Sequence, residues 1–533
     1  MTPRSRTDVD SDTLELSSPR IRKPQRYALS KYGMVSTQHY LATEAGVQML
    51  AENGNAVDAA VAAALALCVC EPAACGLGGQ TALIVHRAKT KKTFVFDGSS
   101  FAPHRAIPGS IPKEERRRGY KAATVPTTPR VLAYALDRYG TLPWPRVIEP
   151  AIKLAEDGFE VSALLNALTR RELKFLRQGT ASRHFLKKGR DPYRVGERFK
   201  QPALADCLKR LARRGVDDFY TGKIARAIHR DMVNNKGLIR RDDLAQVQPP
   251  IERRPVACWW EGKRVMTMPP PGAGRTLIEM LNIVSQLPKK MLRLDTPRSV
   301  LAVARVMRQA YRDRRDRPYD PNYYAQVSDH KMLSPDYGKR IAKRIRTAGE
   351  TTHLSVMDRF GNAVSLTQSI ERVFGSCCAA EDLGFLYNNY LMAFDHEDMS
   401  HPYHLRPAAV PWASVAPTIV FQGRVPWLVI GSPGSERITA SILQVLLRLR
   451  NQSPLEAVNA PRLYCSIGGK ISLEASRMRS DIPEYLEDHG FEIDIRDPYS
   501  FYMGCVQLIL REGSDYIGVA DPRRDGAAGG PRP

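Results

Sequence analysis

Residues 59–70 read AAVAAALALCVC, twelve positions without one polar side chain, and they follow the break GN at 54 and 55. A helix that is apolar on every face must be buried all round. The run is well short of the roughly 18 residues needed to cross a bilayer, so no membrane segment is expected. The helix must instead lie inside the protein, walled by other elements. An amphipathic helix precedes it in ATEAGVQMLAENG, so the interior of the N-terminal half is declared early. With 533 residues, 43% of them hydrophobic, the chain can bury such an element. It shows neither a long linker nor an internal repeat, and reads as one compact unit.

The rest of the chain alternates two patterns. GLGGQTALIVHRAKTKKTFVFDG, at 76–98, is a glycine-rich turn followed by two apolar runs joined by a basic turn, the pattern of a hairpin. GLGG at 76–79 has no lysine and helix after it, so it reads as a strand-entry turn rather than a phosphate cradle. From about 125 to 350 the text is largely helical, with periodic runs near 128–139, 146–157, 201–213, 222–235 and 298–312, broken by the loop TMPPPGAG at 267–274. Strand patterns then return. HLSVMD, RFGN and AVSLTQSI form a second hairpin with its turn near 359–362, and partners in it sum to roughly 721. That register brings Thr351 opposite Ser369 or Ile370. Residues 414–449 read as strand, turn, strand, a GSPG turn and a helix; such a turn presents free backbone N–H groups. Residues 1–30 are charged and serine-rich and read as a solvated, disordered tail without a secretory signal, and the last stretch of GVADPRRDGAAGGPRP reads as disordered by composition.

The net charge of +23 is dispersed. Basic clusters such as KEERRRGY (113–120), RRELKFLRQ (170–178) and RQAYRDRRDR (308–317) are interleaved with acids, and no nucleic-acid-binding pattern accompanies them. A nucleic-acid partner is not expected, and a preference for anionic small substrates is left open. Nine cysteines, an odd number in apolar surroundings, fit buried thiols in a cytoplasmic protein. Neither Cys68/Cys70 nor Cys377/Cys378 has zinc spacing, and HEDMSHPYH (396–404) reads as a polar loop, so neither metal nor cofactor is expected.

The hairpin opens on Thr351, Thr352 and His353. By alternation His353 faces away from Thr352; it reads as a half-buried structural histidine, with a catalytic base as the other reading. Several separate stretches, GNAVDAAVAAALAL (54–67), RYGTLPWPRVIEPAIKLAEDGFEVS (138–162), MPPPGAGRTLIEMLNIV (268–284), TTHLSVMDRFGNAVSLTQS (351–369), GSPGSERI (431–438) and ADPRRDG (520–526), together resemble the gamma-glutamyltranspeptidase family of N-terminal nucleophile hydrolases. The resemblance implies an α+β fold, a four-layer αββα sandwich, made as one chain that cuts itself before Thr351. It therefore implies a large subunit of 31–350 and a small, catalytic subunit of 351–533. The hydroxyl would be the nucleophile, and the α-amino group freed by cutting Glu350–Thr351 its base.

By the same resemblance Ser369 hydrogen-bonds the nucleophile, Gly434 and Ser435 form the oxyanion turn, and Asn389 and Ser414 line the site. Ser99 stands where the family has its carboxylate-binding arginine. Glu371, Tyr390 and Ala393 stand where the substrate amino group is received. A serine cannot supply the bidentate geometry of an arginine, which argues against an ordinary gamma-glutamyl substrate such as glutathione. The segment from Phe394 to Ser414 is shorter than the lid loop of many members, which implies hydrolysis over transfer. The expectation is thus a self-processing threonine amidohydrolase acting on a small-molecule amide or gamma-glutamyl-like compound, its partners being its own two subunits, with the oligomeric state open. The alternatives are an acylase for a non-glutamyl acid, or an uncut scaffold that has lost catalysis.

Overall fold

The computed structural model describes residues 16–18, 20, 21, 23–316 and 351–533. Glu350, residues 1–15 of the expected tail and the 317–350 part of the expected helical region lie outside the described residues.

Two seven-stranded antiparallel sheets stack face to face. The first, the hairpin sheet, runs from edge to edge Ala527–Gly529, Gly33–Thr37, Thr352–Asp358, Ala363–Ser369, Gln80–Arg87, Lys92–Gly98 and Ile251–Arg253. The second runs Tyr27–Ser30, Asp515–Ala520, Gln507–Glu512, Val425–Gly431, Thr418–Gln422, Lys263–Thr267 and Val256–Trp260. Three apolar cores follow from the alternation of side chains along each strand. Leu354, Val356, Val364 and Leu366 face the helices Tyr40–Ala51 and Ala56–Cys70. Met357, Ala363, Ile84 and Val95 meet Ile419, Val429 and Ile509 between the sheets. Val420, Leu428, Ile430 and Leu508 face the helices Gly274–Val284, Pro297–Asp316 and Arg437–Arg448. This is the four-layer αββα sandwich expected.

The alanine-rich helix Ala56–Cys70 is buried at all of its positions. Its start is fixed by a reciprocal cap: Asn55 Oδ1 accepts from the N–H groups of Val57 and Asp58, and an Asp58 carboxylate oxygen accepts from the Asn55 N–H. Asp58 also accepts from the Thr141 and Leu142 N–H groups, tying the helix to the loop before Trp144–Asp157. The expected helices stand at Thr128–Tyr139, Trp144–Asp157, Pro202–Arg214, Lys223–Asn234 and Pro297–Asp316. All nine cysteines are free thiols. Among the described residues no helix is long and apolar enough to cross a membrane, and no group of three or more His, Cys, Asp or Glu is placed to hold a metal.

The described parts of both expected disordered ends depart from expectation. Tyr27–Ser30 pairs with Asp515–Ala520 as an edge strand, Ile21 is buried, and Ser17 pairs with Arg532. At the other terminus Ala527–Gly529 pairs with Gly33–Thr37. The glycine-rich composition reflects close approach: a Cβ on Gly529 would lie 2.8 Å from Ile21 Cδ1, and one on Gly526 2.5 Å from the Thr37 carbonyl oxygen. Small residues were required there by packing, which composition alone cannot tell from disorder.

Candidate active site

The hairpin partners sum to 720, with Thr352 opposite Gln368 and Met357 opposite Ala363. Of the two partners expected, the register selects Ser369 for Thr351. Extended across the sheet, it creates a row. Ser369 pairs with Gln80, and the pairing of Thr81 with Gly98 sets Gln80 opposite Ser99. Thr351, Ser369, Gln80 and Ser99 thus occupy one line across four neighbouring strand positions, spanning about 14 Å at the usual strand spacing. Thr351 and Ser369 are both buried.

Polar groups saturate the middle of this row. Gln80 Oε1 accepts from the Ser100 N–H at 2.7 Å and its hydroxyl at 2.8 Å. The Tyr390 hydroxyl hydrogen-bonds with Ser369, Gln80 and Glu371, and burial holds it above the ordinary phenol value. Ser369 Oγ accepts from the Glu371 N–H at 2.8 Å. Glu371 adopts φ +73°, a left-handed conformation that costs a non-glycine residue on the order of 1 kcal/mol and re-aims its carboxylate. Ser99, at the far end, donates its hydroxyl to Asp97 at 2.7 Å, and Asp97 also accepts from Arg253 at 2.9 Å. The serine is committed to a neighbouring carboxylate.

The two faces of the nucleophile strand differ. On the helical side Thr352 Oγ1 donates to Glu71, which also accepts from Arg524 at 2.9 Å. Burial raises the Glu71 carboxyl above its ordinary value against the opposing pull of Arg524. On the inter-sheet side His353 is fully buried rather than half-buried: Nδ1 lies 2.9 Å from Thr367 Oγ1 and Nε2 3.2 Å from Ser355 Oγ. Desolvation lowers its pKa to about 3, so the ring is neutral. It faces Gly431 so closely that a Cβ there would lie 2.2 Å from the ring.

That contact places the turn after Val425–Gly431 at the end of the sandwich where Thr351 begins. Gly434 has φ +116° and Ser435 φ +53°, so a side chain is accommodated at the second position in the left-handed region. Glu436 follows, buried, with its pKa raised to about 8 by desolvation and by Glu371, against Arg314 and Arg437. Ser414 Oγ accepts from Arg314 at 3.3 Å, and Arg314 stacks over Trp412 at 4.6 Å. Asn389 is fully buried, and its side chain engages backbone: Oδ1 accepts from the Arg372 N–H, and Nδ2 donates to the Arg117 carbonyl. It shapes the wall rather than offering its amide to the interior. Ala393 ends a short helical turn, Tyr390–Ala393.

Thr351 borders a small cavity of about 20 Å³, room for about one water, whose wall includes Glu71, Glu371, Arg372 and Arg524 with Leu165 and Phe501. Sequence reasoning missed Gln80, Glu71, Arg524 and Glu436. Gln80 was reachable by carrying the register across to the 80–98 hairpin; the others come together only through tertiary contacts.

A gamma-glutamyltranspeptidase family profile matches residues 42–530. The glutathione hydrolase proenzyme of Escherichia coli (strain K12) is 32% identical over 534 residues, covering 93% of this chain and 91% of that protein. The acylase ACY 1 proenzyme of Pseudomonas sp. (strain SE83) is 34% identical, covering 83% and 84%. Among solved structures, cephalosporin acylase from Bacillus halodurans superposes with a TM-score of 0.86 at 28% identity, covering 98% of this chain and 99% of that one. The order of the motifs, the sandwich and the match over nearly the whole length agree: the chain belongs to the gamma-glutamyltranspeptidase family.

Proposed function

We propose that the protein is a self-processing amide hydrolase whose nucleophile is the hydroxyl of Thr351. In the first reaction Thr351 Oγ attacks the Glu350 carbonyl carbon and the C–N bond breaks, which frees the Thr351 amine and leaves a Glu350 ester on Oγ; water then cleaves the ester, releasing the Glu350 carboxylate and restoring the hydroxyl. The one cut leaves a large piece, 1–350, and a small one, 351–533. An α-amino group of ordinary pKa, about 7.7 to 8.0, is then in place to take the hydroxyl proton in each turnover. The hydroxyl adds to the substrate amide carbonyl, and the oxyanion is received by backbone N–H groups of Gly434 and Ser435. The proton passes to the leaving amine, and water cleaves the acyl ester. Ser369 orients the nucleophile. The observation that carries this reading is the row that sets Ser369 beside Thr351, at the end of the sandwich where the Gly434 turn lies.

The state of Ser99 favours a non-glutamyl acyl group. Its hydroxyl is held by Asp97, so it offers neither a cation nor a free donor to a substrate carboxylate. The likeness to proteins named acylases supports the same reading. We place the reaction in the cytoplasm, with water favoured over amines as acceptor.

Intact-mass measurement with N-terminal sequencing tests the first step: a small subunit beginning Thr-Thr-His-Leu is expected, and a chain that stays whole for days would sink self-processing. A panel of gamma-glutamyl anilides against simple N-acyl anilides tests the second, where efficient glutathione turnover would refute the argument from Ser99.

A further inference from the structure

Glu71 caps the C-terminal end of the alanine-rich helix, and both of its carboxylate oxygens are engaged. One accepts from Thr352 Oγ1 and the other from Arg524 at 2.9 Å. Thr352 is the residue next to the nucleophile, and Glu71 and Thr351 border the same cavity of about 20 Å³. The carboxylate is therefore anchored beside the point where the expected small subunit begins.

The walls of this cavity carry three acids, Glu71, Glu371 and Asp525, against two cations, Arg524 and Arg372. His39 and Cys70, which also border it, are neutral: burial lowers the His39 pKa to about 4 and holds the Cys70 thiol well above its ordinary value. The helix Ala163–Gln178 contributes Leu164, Leu165 and Leu168, which bring no charge. Asp525 accepts from Ser162 Oγ at 2.6 Å, and Glu371 hydrogen-bonds with Tyr390, so each is tied to a group away from the Thr351 strand. Glu71 is the acid bonded to that strand itself.

Cutting before Thr351 creates a new amine at the edge of this cluster. Burial disfavours an ammonium and so weakens the amine as a base, whereas a nearby carboxylate restores its affinity for the proton. We propose that Glu71 is a positioning residue for catalysis: anchored through Thr352, it holds the freed Thr351 amine in place and keeps it basic enough to take the hydroxyl proton. The proton still moves from Oγ to the amine, and Glu71 acts only through that amine. The proposal rests on Thr351 being the nucleophile.

The tests use the full chain after processing. Glu71→Gln keeps the shape and an acceptor for Thr352 while removing the charge. Cyanate carbamoylates only unprotonated amines, so the labelling rate of the Thr351 N-terminus across a pH series, read by mass spectrometry, gives its pKa without turnover. That pKa is expected to fall by about one unit in Glu71→Gln and to rise in Arg524→Gln, where Glu71 loses its counter-ion. The acid limb of the kcat/KM profile, taken with the best anilide of the panel, should move in the same two directions. Glu71→Asp, which keeps the charge, should restore most of the parent pKa. An unchanged pKa in Glu71→Gln, or shifts of the same sign in both charge variants, would overturn the proposal in favour of a packing role. If Glu71→Gln stays uncut, Arg524→Gln decides alone, and the absence of a rise there overturns it equally. A parent chain without a Thr-Thr-His-Leu terminus refutes the catalytic reading, whereas a cut parent with insensitive variants refutes only the role of Glu71.

Discussion

The hairpin that carries Thr351 has two polar ends, and they are built differently. At its turn Asp358 is buried, and its carboxylate accepts from the N–H groups of Ala56, Phe360 and Asn362 and from the Asn362 amide. Three of these donors are backbone N–H groups and the fourth is the Asn362 side chain in the same turn, and through Ala56 the carboxylate closes the turn onto the start of the alanine-rich helix. At the open end the polar groups are hydroxyls in a row, reached by Tyr390 and Glu371 from loops outside the sheet and bordered by a cavity. Saturation by neighbouring backbone marks a structural polar cluster. Polar groups gathered from distant segments beside a cavity mark a chemical one.

The largest effect that would sharpen this contrast is expected at the open end. Thr351→Ala should abolish cutting and reduce kcat by at least about 10⁴-fold while leaving thermal stability near that of the parent; cutting that persisted would place the nucleophile elsewhere. Asp358→Ala should do the opposite. It strands buried N–H groups and should cost about 3 kcal/mol in denaturant unfolding, with kcat per folded molecule little changed. Ser369→Ala should lower kcat by about 10²-fold, near 2.7 kcal/mol of barrier, with Ser369→Thr restoring most of it because only the hydroxyl is needed. If the threonine variant is as impaired as the alanine one, packing rather than hydrogen bonding explains the residue.

The smallest effect on activity concerns His353, which lies between the two ends. Its folded pKa of about 3 is below the unfolded value of 6.5, so below pH 6.5 the unfolded chain binds the extra proton first. Stability should therefore be complete above about pH 6.5 and decline as pH falls toward 3, with buried His39, lowered to about 4, adding to the same slope. Activity should show no step from His353 between pH 5 and 9. A titration of its ring by NMR in that range would restore it as a candidate base.

How legible was this in the sequence? The apolar helix Ala56–Cys70, the hairpin and its register, and the GSPG turn were readable because each rests on a period or a turn within a few tens of residues. The alignment of Thr351 with Ser369 needed only the position of one turn. The C-terminal strand Ala527–Gly529 was not readable, since its small residues answer to Ile21 and Gly33–Thr37 some 500 positions away. His353 was assigned the right character and the wrong depth, because alternation gives a direction and says nothing of how closely Gly431 approaches. Asn389 was expected to line the site; that it instead clamps Arg372 to Arg117 depends on two loops meeting.

By itself, then, the sequence determined the buried helix, the hairpin and the nearness of the Thr351 and Ser369 hydroxyls, because hydrophobic period and strand register are local and repeat, while the layers were implied by the family resemblance. Only the tertiary structure decided which carboxylates and arginines gather around that row, since Glu71, Arg524, Glu371 and Arg372 come from segments with no common period. Their meeting is fixed by the packing of the whole sandwich, where burial makes each charge depend on the partner that the fold delivers to it.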